Sequence, residues 1–449
     1  MPFIAVEIHK MNQAAVLNTN HADRPQSDLA ASAVESPVAG RHRCRFCQAP
    51  LRETFVDLGM SPLCESYLDA EQIDAMEPFY PLHAYVCERC WLVQLPEYVS
   101  AAEIFSEYAY FSSYSDSWLA HARRYVERMI ERLSLDERSQ VVEIASNDGY
   151  LLQYFVARGI PALGVEPAAN VARAAIAKGV PTVVKFFGRQ TAEELAADGV
   201  RPDLIASNNV LAHVPDLNDF VSGVARLLAP AGVWTAEFPH LLRLMEGNQF
   251  DTLYHEHFCY FSFTTVRAVL AAHGLTVFDV EELPTHGGSL RIFARHAAHG
   301  SLAIEPRVEQ LLEQERRAGL MQLDGYRRFA SQVEETKRRL LEFLIAAKRE
   351  GRRIAAYGAP GKGNTLLNYC GIRGDFLDYA VDRNPYKHGK FLPGTHVPIF
   401  APDKLAETRP DYVLILPWNL QDEIIAQLAY VREWGGKFVV PIPQLTVYE

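Results

Sequence analysis

Two short cysteine knuckles constrain this chain more than any other feature. Cys44 and Cys47 form one C-x2-C pair, Cys87 and Cys90 a second, with 39 residues between them. Together they supply the four thiolates of a closed tetrahedral zinc site, which pins the intervening chain into a small domain and leaves no open position for chemistry. Both pairs sit in polar surroundings, Arg43-Cys-Arg-Phe-Cys47 and Cys87-Glu-Arg-Cys90, where packed core cysteines are not expected. Unrelated or redox thiols are the competing reading. Cys64 lies between the knuckles without a partner at ligand spacing, and a total of seven cysteines does not suit a disulfide scaffold.

The chain has 449 residues, too many for one core, so several domains are expected. An apolar fraction of 49% with 22% charged residues belongs to a globular protein. A formal net charge of −11 argues against nucleic-acid binding, and no stretch approaches a membrane span or a signal core. Cytoplasmic residence is the default expectation. Residues 17–40 are rich in Ala, Asn, Ser, Asp and Pro with few large apolar side chains, and 1–40 read as a disordered tail.

From 118 onward helical and strand patterns alternate. A helix is predicted over 118–133, then strands at 140–144, 162–166, 203–207 and 232–238, with helices over 151–158, 168–178 and 216–229 between them. This alternation reads as a doubly wound α/β sheet, whose ligands sit at the carboxyl ends of the strands. That rim carries Glu143, Asn147, Asp148, Gly149, Glu166, Asn208, Asn209 and His213. The first loop lacks GxGxxG, so a pyrophosphate cradle is not indicated. An acid closing the second strand, Glu166, suits ribose hydroxyls in dinucleotide and adenosyl-methionine sites alike, and the missing glycines favour the latter. Glu143 and Asp148 suit an ammonium better than a phosphate.

Residues 254–257 read Tyr-His-Glu-His in an otherwise apolar, aromatic stretch. Two imidazoles and a carboxylate there point to metal binding or acid–base chemistry. HExxH is absent, which counts against a metalloprotease-type site. His286-Gly-Gly-Ser289, with Gly287 and Gly288, permits close backbone approach and reads as a lid or floor, with an ordinary strand entry as competitor. Residues 304–349 read as a charged helical connector with breaks near Gly319 and Gly325. Arg353 to Tyr369 then reads strand, glycine loop, helix, with Lys362 and Asn364 at the helix start. Such a start favours an anion, although this is not a Walker loop. Arg383, Lys387, His388 and Lys390 make a local basic patch suited to an anionic substrate.

From Arg43 to the C-terminus the chain resembles the S-adenosylmethionine-dependent C-methyltransferases that branch deoxysugars carried on thymidine diphosphate. The resemblance rests on the paired knuckles and on Glu-Ile-Ala-Ser-Asn-Asp-Gly-Tyr-Leu-Leu (143–152), Asn-Asn-Val-Leu-Ala-His-Val-Pro-Asp (208–216) and Glu-Phe-Pro-His (237–240). It continues through Tyr-His-Glu-His-Phe-Cys-Tyr-Phe-Ser (254–262), His-Gly-Gly-Ser-Leu-Arg (286–291) and Tyr-Gly-Ala-Pro-Gly-Lys-Gly-Asn (357–364). It implies an α/β chain with a zinc module at 41–100, a Rossmann-like methyltransferase domain at 101–303, the connector at 304–349 and a smaller Rossmann-like domain at 350–449. It implies S-adenosylmethionine and structural zinc, with a thymidine-diphosphate-linked keto-deoxysugar as substrate.

Carbon methylation beside a ketone requires a base and support for the enolate. The resemblance makes His257 that base. Glu256 orients it or holds a sugar substituent, Tyr254 and His213 contact the ketone, and Tyr108 approaches from the segment before the core. His286, Gly288, Ser289, Lys362, Asn364, Arg383 and Lys387 are expected to hold the nucleotide sugar. Carbon 3 of a 4-keto sugar, with or without a 3-amino group, is the expected target; carbon 5 stays open. A nucleotide-sugar oxidoreductase and a zinc-containing binding module are the remaining alternatives. Oligomeric state has no sequence signature, and a monomer is compatible with everything above.

Overall fold

The computed structural model describes residues 42–105, 111–300 and 302–449. The tail expected at 1–40 and Tyr108 lie outside the described residues. Three sheets organise the chain between 42 and 449. The first is antiparallel and runs Glu53–Ser61, Tyr80–Val86, Val93–Gln94, Cys259–Tyr260. Its last strand comes from far along the chain, with Val93 opposite Tyr260 and Gln94 opposite Cys259.

The second sheet has seven strands in the order Leu275–Leu283, Ser289–His296, Val233–Pro239, Leu204–Asn208, Val141–Ile144, Ala162–Val165, Thr182–Val183. The last five in that order are parallel, while the Leu275–Leu283/Ser289–His296 hairpin joins antiparallel. Parallel strands are buried on both faces, as Val141–Ile144 and Leu204–Asn208 are at every position, with Glu143, Ser207 and Asn208 as their buried polar residues. Helix Asp116–Leu133 lays Ala122, Tyr125, Val126 and Met129 against the sheet at helical spacing, and Ser115 caps it by accepting from Trp118 N–H at 3.3 Å. Asp216 does the same for helix Leu217–Leu227, accepting from Asp219 N–H at 3.0 Å.

The third sheet runs Ile399–Phe400, Ala380–Val381, Ile354–Tyr357, Tyr412–Ile415, Lys437–Val440, Thr446–Tyr448, parallel but for the final strand. Between the second and third sheets lie helices Pro306–Arg317 and Leu323–Arg349. The chain breaks at Gly319 but not at Gly325, which is helical. A Cβ at Gly325 would stand 2.3 Å from the Gly319 carbonyl oxygen, so this glycine serves close backbone approach and not a break.

One apolar core joins the first and third sheets: Phe55, Leu82, Leu253, Phe329, Leu340, Ile354 and Val413 belong to it. A second lies under the methyltransferase-type sheet and reaches Cys44, Cys87 and Leu92 of the cysteine module. No described helix is long and apolar enough to cross a membrane.

Candidate active site

The Tyr-His-Glu-His segment is a strap between the first two sheets. It enters from Phe250–Thr252, turns with His257 N–H donating to Tyr254 O at 2.9 Å, and leaves as the Cys259–Tyr260 strand. Phe258 N–H donates to Ala212 O at 2.7 Å, tying the strap to the loop after strand Leu204–Asn208. His213 on that loop is thereby set beside His257, ring centroids 4.7 Å apart, with Tyr254 at 4.1 Å on its other side.

Two backbone carbonyls fix the imidazole tautomers. His213 Nδ1–H donates to Glu256 O at 2.9 Å and His257 Nδ1–H to Thr252 O at 3.1 Å. In a neutral ring this leaves Nε2 as the basic nitrogen. Burial pushes His257 well below the usual imidazole value, with His213 adding to the effect, and burial brings His213 to about 4. Both rings are therefore neutral at ordinary pH. His255 is turned elsewhere, Nε2 bonding Pro81 O at 3.3 Å with the Tyr80 ring beside it, so the two histidines of the motif do not converge on one ion.

Glu256 behaves oppositely. Burial, with Glu65 nearby, pushes its carboxyl up to about 8, and Cys64 Sγ lies 3.6 Å from Oε1. Sequence reasoning passed over Glu65. It accepts from Gly361 N–H, and a Cβ at Gly361 would lie 2.8 Å from Cys64 Sγ and 3.2 Å from Glu65 Oε1. The start of helix Gly361–Cys370, expected to favour an external anion, thus already holds a carboxylate of the chain. Glu65 is exposed to solvent, yet surrounding protein raises its carboxyl. That combination describes a side chain lining a deep cleft.

The rim of the seven-stranded sheet is rich in unsatisfied groups. Asp148 Oδ1, Asn209 Oδ1 and Ser146 Oγ are buried without a hydrogen-bond partner among the described residues, and the buried Glu143 and Asn208 side chains both meet the Tyr150 hydroxyl. Buried polar atoms are normally paired, so such a group at strand ends marks a ligand surface. Burial, then Glu166 and Asp148, raise the Glu143 carboxyl against the lowering effect of the Tyr150 hydroxyl. Three acids gathered there, of which Asp148 pairs through Oδ2 with Lys178 at 3.0 Å, favour a cation. Glu166 accepts from Asn147 N–H at 2.8 Å and Ala168 N–H at 2.9 Å, leaving lone pairs for hydroxyls. Gly149 has φ +77°, and a Cβ there would meet Val180 Cγ2 at 3.0 Å.

The four cysteine sulfurs lie within 4.8 Å of one another, with Cys44–Cys90 and Cys47–Cys87 each at 3.5 Å. A zinc ion with bonds near 2.3 Å holds sulfurs roughly 3.8 Å apart, so the cluster fits one closely.

Three family models match in succession: "Putative zinc binding domain" over 44–105, "Methyltransferase domain" over 118–280 and "C-methyltransferase C-terminal domain" over 284–443. The chain is 37% identical to the C-methyltransferase NovU of Streptomyces niveus, across 89% of this chain and 95% of that protein. The chain belongs to this C-methyltransferase family. The C-methyltransferase uses S-adenosylmethionine at the Rossmann-like sheet and carries structural zinc on its four cysteines. Among solved structures, the PH0226 protein of Pyrococcus horikoshii is 16% identical, over 43% of this chain and 97% of its own (TM-score 0.35). Magnesium protoporphyrin IX methyltransferase of Synechocystis with bound SAM is 15% identical, over 40% and 81% (TM-score 0.30). The assignment rests on the family models and the relative, not on these.

The remaining predicted residues of the C-methyltransferase scatter. His286, at φ +54°, stands edge-on to Trp118 at 5.3 Å and has Glu237 and Lys362 as charged neighbours, facing the strap. Gly288 and Ser289 instead line a separate hollow of about 450 Å³ with His240, Arg243 and Glu282. Lys362 donates to Asn419 Oδ1 at 2.7 Å and lies 4.7 Å over the Trp418 ring. Asn364 is fully buried, its Oδ1 accepting from Asn368. Lys387 donates to Ala359 O at 2.8 Å and covers Tyr67. Arg383 is exposed and 3.8 Å from Glu423, while Lys390 pairs with Asp69 at 2.8 Å. The basic patch is thus partly neutralised by acids distant in sequence.

Two further groups were not singled out as site residues by the sequence, although Glu237 heads the Glu-Phe-Pro-His segment of the resemblance. Glu237 is buried at the end of strand Val233–Pro239 and bonds His121 at 3.0 Å, Arg291 at 2.5 Å and Thr285 at 3.0 Å. Burial alone would raise its carboxyl, but His121 and Arg291 outweigh burial and hold it at about 2. Asp251 is fully buried beneath the strap, accepts from Trp418 Nε1–H at 2.8 Å, and is pushed by burial up to about 6.

Proposed function

We propose that this C-methyltransferase moves a methyl group from S-adenosylmethionine to carbon 3 of a thymidine-diphosphate-linked 4-keto-deoxysugar, through an enolate. The observation that carries the reading is the neutral His257 beside His213, each with Nδ1 committed to a backbone carbonyl and Nε2 left basic, at the rim of the methyltransferase sheet. A strongly cationic or metal-bound imidazole would not serve as a base.

S-adenosylmethionine, when bound, supplies an electrophilic methyl on a cationic sulfur. Glu143, Asp148 and Glu166 hold that cation and its ribose, with Asn147, Gly149, Asn208 and Asn209 shaping the loop. His257 takes the proton from the carbon beside the ketone. Tyr254 and His213 contact the keto oxygen, with Tyr108 joining from the preceding segment, and Glu256 holds the neighbouring sugar substituent as a protonated acid. Cations from the third sheet grade along the cleft. Lys362 is an electrostatic neighbour of His257 and His286, Lys387 lies against Tyr67, and Arg383 is on the outer surface. This order supports a sugar lying inward and a nucleotide outward, with Lys387 and Arg383 on the diphosphate side and His286 over the sugar. Asn364, Gly288 and Ser289 act on the cleft through the backbone they support.

In this reading the chain divides into a zinc module at 41–100, a methyltransferase domain at 101–303, a connector at 304–349 and a C-terminal α/β domain at 350–449, working as a cytoplasmic enzyme.

The test is mass spectrometry of products from a panel of thymidine-diphosphate-linked 4-keto-deoxysugars incubated with S-adenosylmethionine. One CH2 gained, with the new methyl on carbon 3 by NMR, is the expected result. A methyl on carbon 5 would correct the position, and no gain across the panel would end the sugar reading.

A further inference from the structure

Lys362 reads from sequence as a phosphate ligand at a helix start, but its surroundings assign it other work. The first amide of that helix is already taken by Glu65. The lysine side chain leaves the helix and lies across the Trp418 face, 4.7 Å from the ring centroid, with one N–H given to Asn419 Oδ1 at 2.7 Å. An ammonium has three donors, so two remain without a partner among the described residues. Trp418 in turn donates to Asp251 Oδ2 at 2.8 Å. Asp251 immediately precedes Thr252, whose carbonyl fixes the base His257 at 3.1 Å. A second tie, Thr365 Oγ1 to Leu253 O at 3.1 Å, seats the same helix on the strap. One braced unit therefore carries both the ammonium and the base, and Lys362 is a charged neighbour of both His257 and His286. Lys387 has Glu65, the charged neighbour of Glu256, beside it, but among the described residues neither Lys387 nor Arg383 has a hydrogen-bonded tie to the strap.

We infer that Lys362 is a catalytic residue of the methyl transfer, donating to the substrate's keto oxygen as negative charge develops there, and that it is not a diphosphate ligand. This rests on the enolate reading above. The balance is simple. His257 Nε2 takes the proton from carbon; the C–H electron pair becomes a C=C bond and the carbonyl π pair moves to oxygen, where Lys362 N–H meets it. The C=C then attacks the methyl, a C–C bond forms, the S–CH3 bond breaks, the ketone returns and a neutral thioether departs. A preorganised donor aimed at developing charge in a partly dry site acts on the transition state far more than on the ground state. Asp251, through Trp418, is the positioning group that keeps this lysine over the ring.

The test compares K362M, K362R and K387M in the full-length zinc-loaded protein, with a thymidine-diphosphate-linked 4-keto-6-deoxyhexose as probe. Two rates are read: methyl transfer, and deuterium wash-in at the carbon beside the ketone with the methyl donor withheld. K362M is expected to lower kcat about 100-fold, the scale of losing one oxyanion donor, and to slow wash-in in step. Its KM for the probe and its affinity for thymidine diphosphate alone should stay within about 3-fold, on the uniform-binding criterion. K362R should recover part of the rate, and K387M should raise KM instead. Retained zinc and S-adenosylmethionine binding will certify the fold. If K362M raises KM and loses thymidine diphosphate with wash-in intact, the lysine is a phosphate ligand and the inference falls. Wild-type-like rates would overturn it equally. Absence of wash-in and transfer in the wild type, across the sugar panel, would instead remove the enolate reading beneath it.

Discussion

At the scale of single residues, the site is arranged by protonation state. Burial holds His257 well below the usual imidazole range and Glu256 up at about 8, so near neutrality the imidazole is a free base and the carboxyl a neutral acid. An ionised Glu256 next to a forming enolate would raise the barrier. We therefore expect kcat/KM to fall as pH rises through about 8, and the fall to be absent in E256Q. In E65Q, loss of the neighbouring charge should move it to lower pH. Rate–pH profiles of the three proteins check this. The stability sign follows from linkage. Glu256 binds its proton more tightly folded than unfolded, so its contribution to stability declines between about 4.5 and 8 as pH rises. E256Q should therefore have the higher Tm above pH 8, measured by calorimetry, with little difference at pH 5. His257 and Glu256 were legible in sequence as chemistry because polar groups in an aromatic run are costly. Glu65 was not, since it comes into play only when Gly361 arrives from nearly three hundred residues away.

At the scale of elements, periodicity carried most of the central sheet. The helix expected over 118–133 and found at Asp116–Leu133 buries one face at i, i+3, i+4 spacing, and the parallel strands Val141–Ile144 and Leu204–Asn208 are short and buried at every position. Two features had no such signal. Cys259–Tyr260 is a two-residue strand, too short to show a period, and its partner strand is remote. Gly325 looked like a helix breaker because a glycine's cost is counted residue by residue, whereas its reason is the tight turn that brings the Gly319 carbonyl against the first turn of helix Leu323–Arg349. The strand exchange has a consequence. The cysteine cluster braces the sheet that the Tyr-His-Glu-His strap completes, since Gln94 both pairs with Cys259 and donates to Cys44 Sγ at 3.3 Å. Removing zinc with a chelator should therefore abolish methyl transfer while leaving S-adenosylmethionine bound, because Glu143, Asp148 and Glu166 stand on another sheet. Calorimetric titration with the cofactor before and after chelation, beside an activity assay, separates the two effects. Equal loss of both would contradict it.

At the scale of the whole molecule, the order of matched family segments suggests beads on a string, but the packing does not follow chain order. Phe55 stacks on Phe329 with centroids 4.7 Å apart, and both belong to the same apolar core as Ile354 and Val413 of the third sheet. Sequence alone separates a zinc module from a C-terminal domain because each has its own motif; it cannot show that they share a core, since apolar residues at both ends look like two interiors. Polar ties cross the same boundary, with Tyr67 O–H donating to Ala359 O at 2.6 Å and Glu77 accepting from Gly394 N–H at 2.7 Å, while Trp418 ties the third sheet to Asp251 of the central segment. Truncation after Arg349 should then damage more than substrate binding. It would strip one side of the core around Phe55 and Leu82, remove the Trp418 donor of Asp251 and uncover the strap on which Thr365 seats helix Gly361–Cys370. The shortened chain is expected to bind zinc at least tenfold more weakly, a loss of about 1.4 kcal/mol. It should also be cut by protease between 53 and 95, whereas the full chain resists. Zinc competition and limited proteolysis with mass mapping measure this. The milder change W418F, which keeps the ring and removes the N–H, should retain the protease-resistant core and lower the unfolding free energy by about 1–3 kcal/mol. If the truncated chain holds zinc and resists protease as the full chain does, the first sheet is sustained by its own zinc and strands, and the shared core is dispensable to it.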